Sequence, residues 1–378
     1  MRRVVLLLVT AVLLTVQLEA QERTRIDVSK LGPQVGDRVP DFTLNDQTGT
    51  ARTLKSIMGR RGAMLVFVRS ADWCPYCKTQ LVELQGRAIE LQEQGFGVVS
   101  ISYDSREVLA AFTKQHGITF PMLSDPGSET IKRYGILNTV VAQAFGPNRD
   151  DPEVKAEVLR YISVVNPSPN MEGIPFPGMF VVNTQGRVTS RVFEDFYVER
   201  STVSSIMKKL GVGANIVAGT KVSTEHLDVT TFPTNDVIAA GNRFSLVLDV
   251  TPRRGMHVYA PGASGYRVIT ATIAPQSFVR LSSLSYPASE TYHFTPLNER
   301  VPVYQKPFSL VQDVVLDGDL KTQAALRGQE SLTINGTLEY QACDDKICYN
   351  PVSVPLSWTV KLRPLVMQRP SAAPRESR

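Results

Sequence analysis

The sequence predicts two domains of different class: an α/β domain followed by an all-β sandwich. Three observations carry this. The 378 residues are more than one core usually serves. Between 34 and 212, apolar runs of strand length alternate with stretches of helical periodicity. Beyond a glycine-marked break, apolar residues recur at every second position.

The first domain is read in chain order. "AMLVFVR" (63–69) is a buried-type strand that runs into the turn "ADWCPYC". A helix follows, with Leu81, Leu84, Ala88 and Leu91 on one face. "FGVVSIS" (96–102) is the next strand, 106–116 a helix, 118–123 a short strand and 127–135 the start of another helix. Segment 138–176 is proline-rich and irregular, with a candidate helix at 151–162. "GMFVVN" (178–183), "RVTSRVF" (187–193) and a helix near 200–210 close the domain. This alternation predicts an α/β layer architecture. Gly211, Gly213 and Gly219 mark a linker at 213–224. In 225–362 the alternating runs Phe244–Val250, Leu332–Tyr340 and Val352–Val360 predict the strands of a sandwich. The tail 363–378 is rich in Pro, Arg and Ser and reads as disordered.

Composition limits the function classes. Apolar residues make up 43% of the chain, enough for two ordinary cores. The formal charge is +5, but four arginines and one glutamate in 363–378 supply +3 of it, and residues 1–20 supply +1. The body is therefore near neutral and has no basic face for nucleic acid. Arg2 and Arg3 precede a 13-residue apolar run (4–16), and Ala20 is a plausible cleavage position. This is the pattern of a secretory signal over 1–20, followed by a polar leader over 21–33. The run is too short to span a bilayer as a helix. The expectation is an exported protein, periplasmic or secreted, not membrane-spanning, in a compartment where disulfides persist.

The chemistry lies in four cysteines: Cys74, Cys77, Cys343 and Cys348. Cys74 and Cys77 form a CxxC at a strand-to-helix turn. A helix N-terminus presents free N–H groups and partial positive charge, which favour a thiolate. Cys74 is thus expected to be the exposed, low-pKa nucleophile and Cys77 the resolving partner. As a mere staple the pair would remove only about 2 kcal/mol of chain entropy. Zinc would need further ligands, and His116, His226, His257 and His293 form no cluster with either pair. No metal or other cofactor is expected. Cys343 and Cys348 lie in a polar turn between two alternating strands, with Asp344 and Asp345 between them. There a structural staple and a redox pair both remain open, and the aspartates oppose a thiolate.

Several segments carry resemblances. "VGDRVPDFTLNDQTG" (35–49), "WCPYC" (73–77), "FTKQHGITFPMLSD" (112–125) and "FPGMFVVNTQGRV" (176–188) resemble the redoxin branch of the thioredoxin fold, which includes peroxiredoxin-like proteins. That resemblance implies a thioredoxin-like domain over 34–212, with Trp73 and Pro177 in the substrate loops and Pro177 as a cis-proline facing the cysteines. The chain departs from peroxiredoxins at Phe67 and Ala71, where they carry a Pro and a Thr or Ser. It departs from thioredoxins at Val68, where they bury an Asp. That leaves Asp72 and Glu83 as candidate bases for Cys77. "LEYQACDDKICYNPVSVPLSW" (338–358) and "GMHVYAPG" (255–262) resemble the N-terminal periplasmic domain of the thiol:disulfide interchange protein DsbD. That domain is immunoglobulin-like and redox-active. The resemblance implies that Cys348 forms the mixed disulfide and Cys343 resolves it, with Tyr259 and Phe294 near or capping the site.

The expected activity is thiol–disulfide exchange, relaying electrons between Cys74/Cys77 and Cys343/Cys348. Expected partners are thiol or disulfide proteins of the cell envelope and a membrane electron donor or acceptor. Two alternatives are a thiol peroxidase with Cys74 peroxidatic, and a redoxin whose sandwich is a non-enzymatic protein-binding module.

Overall fold

The computed structural model describes residues 27–139, 143–144, 146–152, 154–155, 171–194, 198–213, 217–294 and 298–370. The segment read as a secretory signal, most of the helix expected at 151–162 and the end of the tail lie outside the described residues.

The first domain is a seven-stranded mixed sheet. β1 (Thr43–Asp46) and β2 (Ala51–Thr53) form an antiparallel pair at one edge. β3 (Gly62–Phe67) lies inside the sheet and is buried at every position, as its unbroken apolar run requires. It leads through the cysteine turn into α1 (Pro75–Glu93). β4 (Phe96–Ser102), α2 (Arg106–His116), β5 (Met122–Ser124) and α3 (Glu129–Arg133) follow. β3 and β4 are parallel, as are β4 and β5. The α2 boundaries have clear causes. Ser105 Oγ accepts from Val108 N at one end, and Gly117 takes the left-handed conformation at the other. β6 (Gly178–Val182) and β7 (Val188–Phe193) complete the sheet in the order β2-β1-β5-β4-β3-β6-β7. The strand expected at 118–123 is confined to β5, because Pro121 offers no N–H to a ladder.

β8 (Arg200–Ser201) and α4 (Val203–Lys209) end this domain. β9 (Thr220–Ser223), β10 (Leu227–Pro233), β11 (Val237–Ile238), β12 (Asn242–Pro252) and β13 (His257–Tyr259) open the second. β14 (Thr270–Ile273), β15 (Val279–Ser285), β16 (Glu290–Phe294), β17 (Glu299–Tyr304) and β18 (Phe308–Leu316) follow. α5 (Leu320–Ala325), β19 (Ser331–Tyr340), β20 (Ala342–Cys343) and β21 (Val352–Leu362) close it. One sheet runs β15-β18-β12-β10-β9 and the other β11-β21-β19-β14. Their alternating apolar residues, among them Phe244, Leu246, Leu248, Ile334, Leu338 and Trp358, share one buried core. A small third sheet, β16-β17-β13-β20, carries the second cysteine pair.

The expectations for the linker and for the tail are corrected here. The segment read as a linker contributes β9, which pairs with β10. More importantly, β8 of the first domain pairs in parallel with β12 of the sandwich, so one sheet crosses the junction. Buried Glu199 lies beside this crossing. It binds Arg243 at 2.9 Å and also contacts Arg280, while Arg243 binds Glu194 and Arg280 binds Asp317. The segment read as a disordered tail is also placed over 363–370: Leu365 and Pro370 are buried. Composition predicted disorder because none of these residues has a partner within its own segment. Their partners lie on α1, on the turn before it and on β11.

Candidate active site with two cysteine centres

The first centre is set by the exit of β3. Val68 N still donates to Ile101 O, and then the chain turns. Buried Asp104 pins this turn by accepting from Ala71 N at 2.7 Å, Ser70 Oγ at 2.8 Å and Ser102 Oγ at 2.9 Å. Burial pushes the Asp104 carboxyl up to about 6, against those three donors. Ser70 Oγ also accepts from Asp72 N and Trp73 N. The hydroxyl next to Ala71 is therefore committed to holding the loop. Trp73 Nε1 donates to Tyr103 Oη at 2.9 Å.

Cys74 is the N-cap of α1, with Pro75 as the first helical residue. Its Sγ accepts from Cys77 N at 3.2 Å. Both thiols are free. The sequence predicts an exposed Cys74, but both cysteines have 0% exposure. Two guanidiniums compensate for that burial. Arg69 Nη2 donates to Cys74 Sγ and Arg200 Nη2 to Cys77 Sγ, each at 3.3 Å. Burial pushes the Cys74 thiol well up, and its hydrogen bond to Cys77 adds to that. Burial also opposes ionisation of Cys77, but the Cys74 thiol, Arg200 and Arg69 outweigh it and hold Cys77 well below the ordinary thiol range. The two thiols are hydrogen-bonded to each other and titrate as a unit.

The other expected residues fall as follows. Val68 is fully buried at the position where thioredoxins place an Asp. Asp72 is taken up by Arg369. Glu83 lies six residues beyond Cys77, about 9 Å along the helix, where it accepts from Val203 N at 2.9 Å and Asn235 Nδ2 at 3.1 Å. Neither carboxylate is placed as a base for Cys77. Phe67 pairs with Gly178, so Pro177 sits at the cysteine end of the sheet. Its peptide bond is trans, not cis as the resemblance implies, since no described peptide bond is cis. Phe176 donates to Ile136 O and continues extended into β6, which a trans linkage accommodates.

The sandwich closes over this turn. Tyr76 Oη donates to Gly318 O at 2.5 Å and accepts from Gln323 Nε2. The Tyr76 ring lies over Gly241, whose φ is +85°. A Cβ there would come within 2.4 Å of Val198 O and 3.1 Å of the ring, so only glycine fits.

The second centre is a disulfide between Cys343 and Cys348. Cys343 is 2% exposed and Cys348 lies in the open. Asp344 accepts from Lys346 N and Ile347 N, each at 2.7 Å, and from Tyr349 Oη at 3.0 Å. Its carboxylate shapes the turn. Tyr259 Oη contacts Cys343 Sγ at 2.9 Å and Cys348 Sγ at 3.3 Å. Tyr266 stacks on Tyr259 with centroids 4.0 Å apart, and Tyr292 packs on His257 at 4.4 Å. Phe294 is at the far end of β16, opposite Glu299, while Tyr266 and Tyr292 pack around Cys343. The resemblance placed the cap at Phe294, whereas Tyr292, two residues earlier on the strand, packs beside Cys343.

The two centres occupy opposite ends of the sandwich. Asn242 of β12 pairs with Arg200, beside Cys77. The other end of β12 leads to His257, which pairs with Cys343. β21 likewise runs from the Cys348 turn to the segment on α1. Each strand has 11 residues, and at about 3.3 Å per residue the centres are roughly 30 Å apart.

Residues 35–191 match the AhpC/TSA family, and residues 228–355 match the N-terminal domain of the thiol:disulfide interchange protein DsbD. The two matches follow one another along the chain. A putative peroxiredoxin of Mycobacterium tuberculosis is 37% identical over 100 residues, covering 26% of this chain and 62% of that protein. The thiol-disulfide oxidoreductase ResA of Oceanobacillus iheyensis is 28% identical over 155 residues, covering 40% of this chain and 77% of the relative. Among solved structures, the peroxidoxin BcpB of Mycobacterium tuberculosis aligns with a TM-score of 0.34 at 23% identity, covering 44% of this chain and 88% of that one. The chain thus spans about three-fifths of the M. tuberculosis peroxiredoxin it matches. Among the described residues, no helix is long and apolar enough to cross a membrane.

Arg69, Arg200, Tyr266 and Tyr292 were not found by sequence reasoning. Arg69 had a local signal, a cation at the end of an apolar strand five residues before Cys74. Arg200 had none, because 123 residues separate it from Cys77.

Proposed function

We propose that the protein is an exported thiol–disulfide oxidoreductase whose two centres exchange electrons with each other and with thiol or disulfide proteins of the envelope. One observation carries the reading: a buried cysteine pair charged by two guanidiniums shares a chain with a disulfide whose outer sulfur, Cys348, is open to attack. Cys74 Sγ attacks Cys348 Sγ and passes its proton to the Cys77 thiolate. The Cys343–Cys348 bond breaks, and Cys343 leaves as thiolate beside Tyr259 Oη. Cys77 then loses that proton to the sandwich and attacks Cys74 Sγ, releasing Cys348. Two electrons move, and the Cys74/Cys77 pair ends as a disulfide.

A separation of roughly 30 Å along 11-residue strands does not allow this within one chain in the seated arrangement. The exchange therefore runs between two copies. With a mild thiol oxidant such as diamide to take up the two electrons, mixing a Cys77→Ser chain with a Cys343→Ser chain should trap a Cys74–Cys348 bond as a dimer whose yield rises with concentration. A yield independent of concentration in the Cys77→Ser/Cys343→Ser double variant would show exchange within one chain. No cross-link in either format would remove the relay.

The peroxiredoxin match favours a second reading, peroxide reduction at Cys74. Ala71 supplies no hydroxyl, and Ser70 is held by Asp104. The reduced protein is accordingly expected to consume hydrogen peroxide no faster than a free thiolate. Stopped-flow turnover several orders of magnitude faster would restore the peroxidase.

A further inference from the structure

Segment 365–370, Leu-Val-Met-Gln-Arg-Pro, has no helix or strand and crosses the first turns of α1 in extended form. Most of its bonds are made by backbone. Val366 N donates to Thr79 Oγ1 at 2.9 Å. Met367 O and Gln368 O accept from Lys78 Nζ at 3.0 and 2.8 Å. One side chain adds direction: the Arg369 guanidinium forks onto both carboxylate oxygens of Asp72. The residues engaged, Asp72, Lys78 and Thr79, bracket Cys74 and Cys77.

Lys78 is the informative member. It follows Cys77 directly and is 1% exposed, and its ammonium is held by two carbonyls of this segment. Burial pulls that ammonium below its ordinary range. A lysine at the second turn of a catalytic helix normally extends into water. Here it is committed to peptide carbonyls, acceptors that any extended polypeptide offers. The segment is also loosely packed on its sandwich side. Leu365 and Met367, together with Leu326 and Leu362, line a cavity of about 690 Å³ there, and Met367 is 65% exposed. Displacing the segment therefore gives up few apolar contacts.

We propose that the face made by Asp72, Lys78 and Thr79 is a seat for an extended stretch of a client polypeptide carrying an arginine or lysine, and that 365–370 is the chain's own occupant of it. Lys78 binds main-chain carbonyls of the client, Thr79 binds a main-chain N–H, and Asp72 selects the basic side chain. A client must displace the segment before Cys74 can meet its disulfide. The client thus opens a site otherwise closed to small oxidants. This rests on the reading of Cys74 as a thiol that reacts with polypeptides.

The test uses the full chain, a chain ended at Pro364 and an Arg369→Glu variant that turns the ion pair into a repulsion. Alkylation of the reduced cysteine pair by iodoacetamide is expected to run roughly tenfold faster or more in the shortened chain, since its rate follows the open fraction. Arg369→Glu should fall between the two. A fluorescein-labelled peptide of residues 363–372, RPLVMQRPSA, should bind the shortened chain, slow its alkylation again and bind at least about fivefold more weakly to shortened Asp72→Asn. Equal alkylation rates in the full and shortened chains, or no peptide binding, would overturn the proposal. Peptide binding with faster alkylation but no Cys74–Cys348 cross-link would uphold the seat and reject the relay, so the two readings fail separately.

Discussion

Replacing Arg200 with methionine is expected to raise the pH at which the Cys74/Cys77 pair forms its thiolate by about two units, within the one to three that a neighbouring cation is worth. The cause is direct: Arg200 Nη2 lies 3.3 Å from Cys77 Sγ, and both sulfurs are fully buried. Without that guanidinium, burial, which opposes ionisation of both thiols, is offset at Cys77 only by the Cys74 thiol and Arg69. The kinetic consequence is smaller than the shift. A thiolate of higher pKa is the better nucleophile, with a Brønsted slope near 0.5, so about half of the loss in thiolate fraction is recovered. At pH below both midpoints, reaction with a small disulfide should fall roughly tenfold. At pH above both it should rise by a similar factor. Ultraviolet absorbance of the thiolate against pH reads the midpoint directly, and stopped-flow exchange reads the rate. Arg200→Lys keeps the charge and should hold the midpoint within about one unit of the parent. A merely structural role for Arg200 predicts loss of stability in Arg200→Met with an unmoved midpoint. That result would remove Arg200 from the redox centre.

What the sequence disclosed was what short-range chemistry determines. β3 was readable because a strand buried on both faces must be apolar throughout. Cys74 was readable as a helix start because a cysteine before a proline at a strand exit satisfies both capping and proline geometry. The sandwich strands were readable because alternate residues enter one core. Arg200, the 363–370 segment and the distance between the centres were hidden for a common reason. Each depends on how the two domains meet, and neither domain's periodicity reports on that. The arginine-rich, proline-rich tail looks unable to order itself, and by itself it cannot. It is ordered by a lysine and an aspartate 289 and 297 residues earlier in the chain. Resemblance misled where backbone detail decides, at trans Pro177 and at Phe294.

Glu199→Ala is the substitution expected to cost most stability, because it removes the carboxylate at the centre of the junction. Glu199 has no exposed surface and joins Arg243 and Arg280 of the sandwich to the first domain. Burial pushes its carboxyl up, and the two guanidiniums oppose that. Breaking such a buried pair from one side typically costs 3–5 kcal/mol. Here Arg243 keeps Glu194 and Arg280 keeps Asp317, which points to the lower end, about 3 kcal/mol. The loss is confined to the contact between domains, since each core is complete without it. Calorimetry should therefore show one cooperative transition dividing into two, with the first-domain and sandwich unfolding steps no longer coupled. The redox consequence has the opposite sign. The junction holds Cys348 roughly 30 Å from Cys74, along strands of 11 residues. Once it is loosened, the sandwich can move relative to the first domain and present Cys348 to its own Cys74. In the Cys77→Ser/Cys343→Ser background, Glu199→Ala should thus make the cross-link intramolecular and independent of concentration, at an effective concentration approaching millimolar. If trapping still scales with protein concentration after the transitions have separated, the junction is not what keeps the two centres apart within one chain.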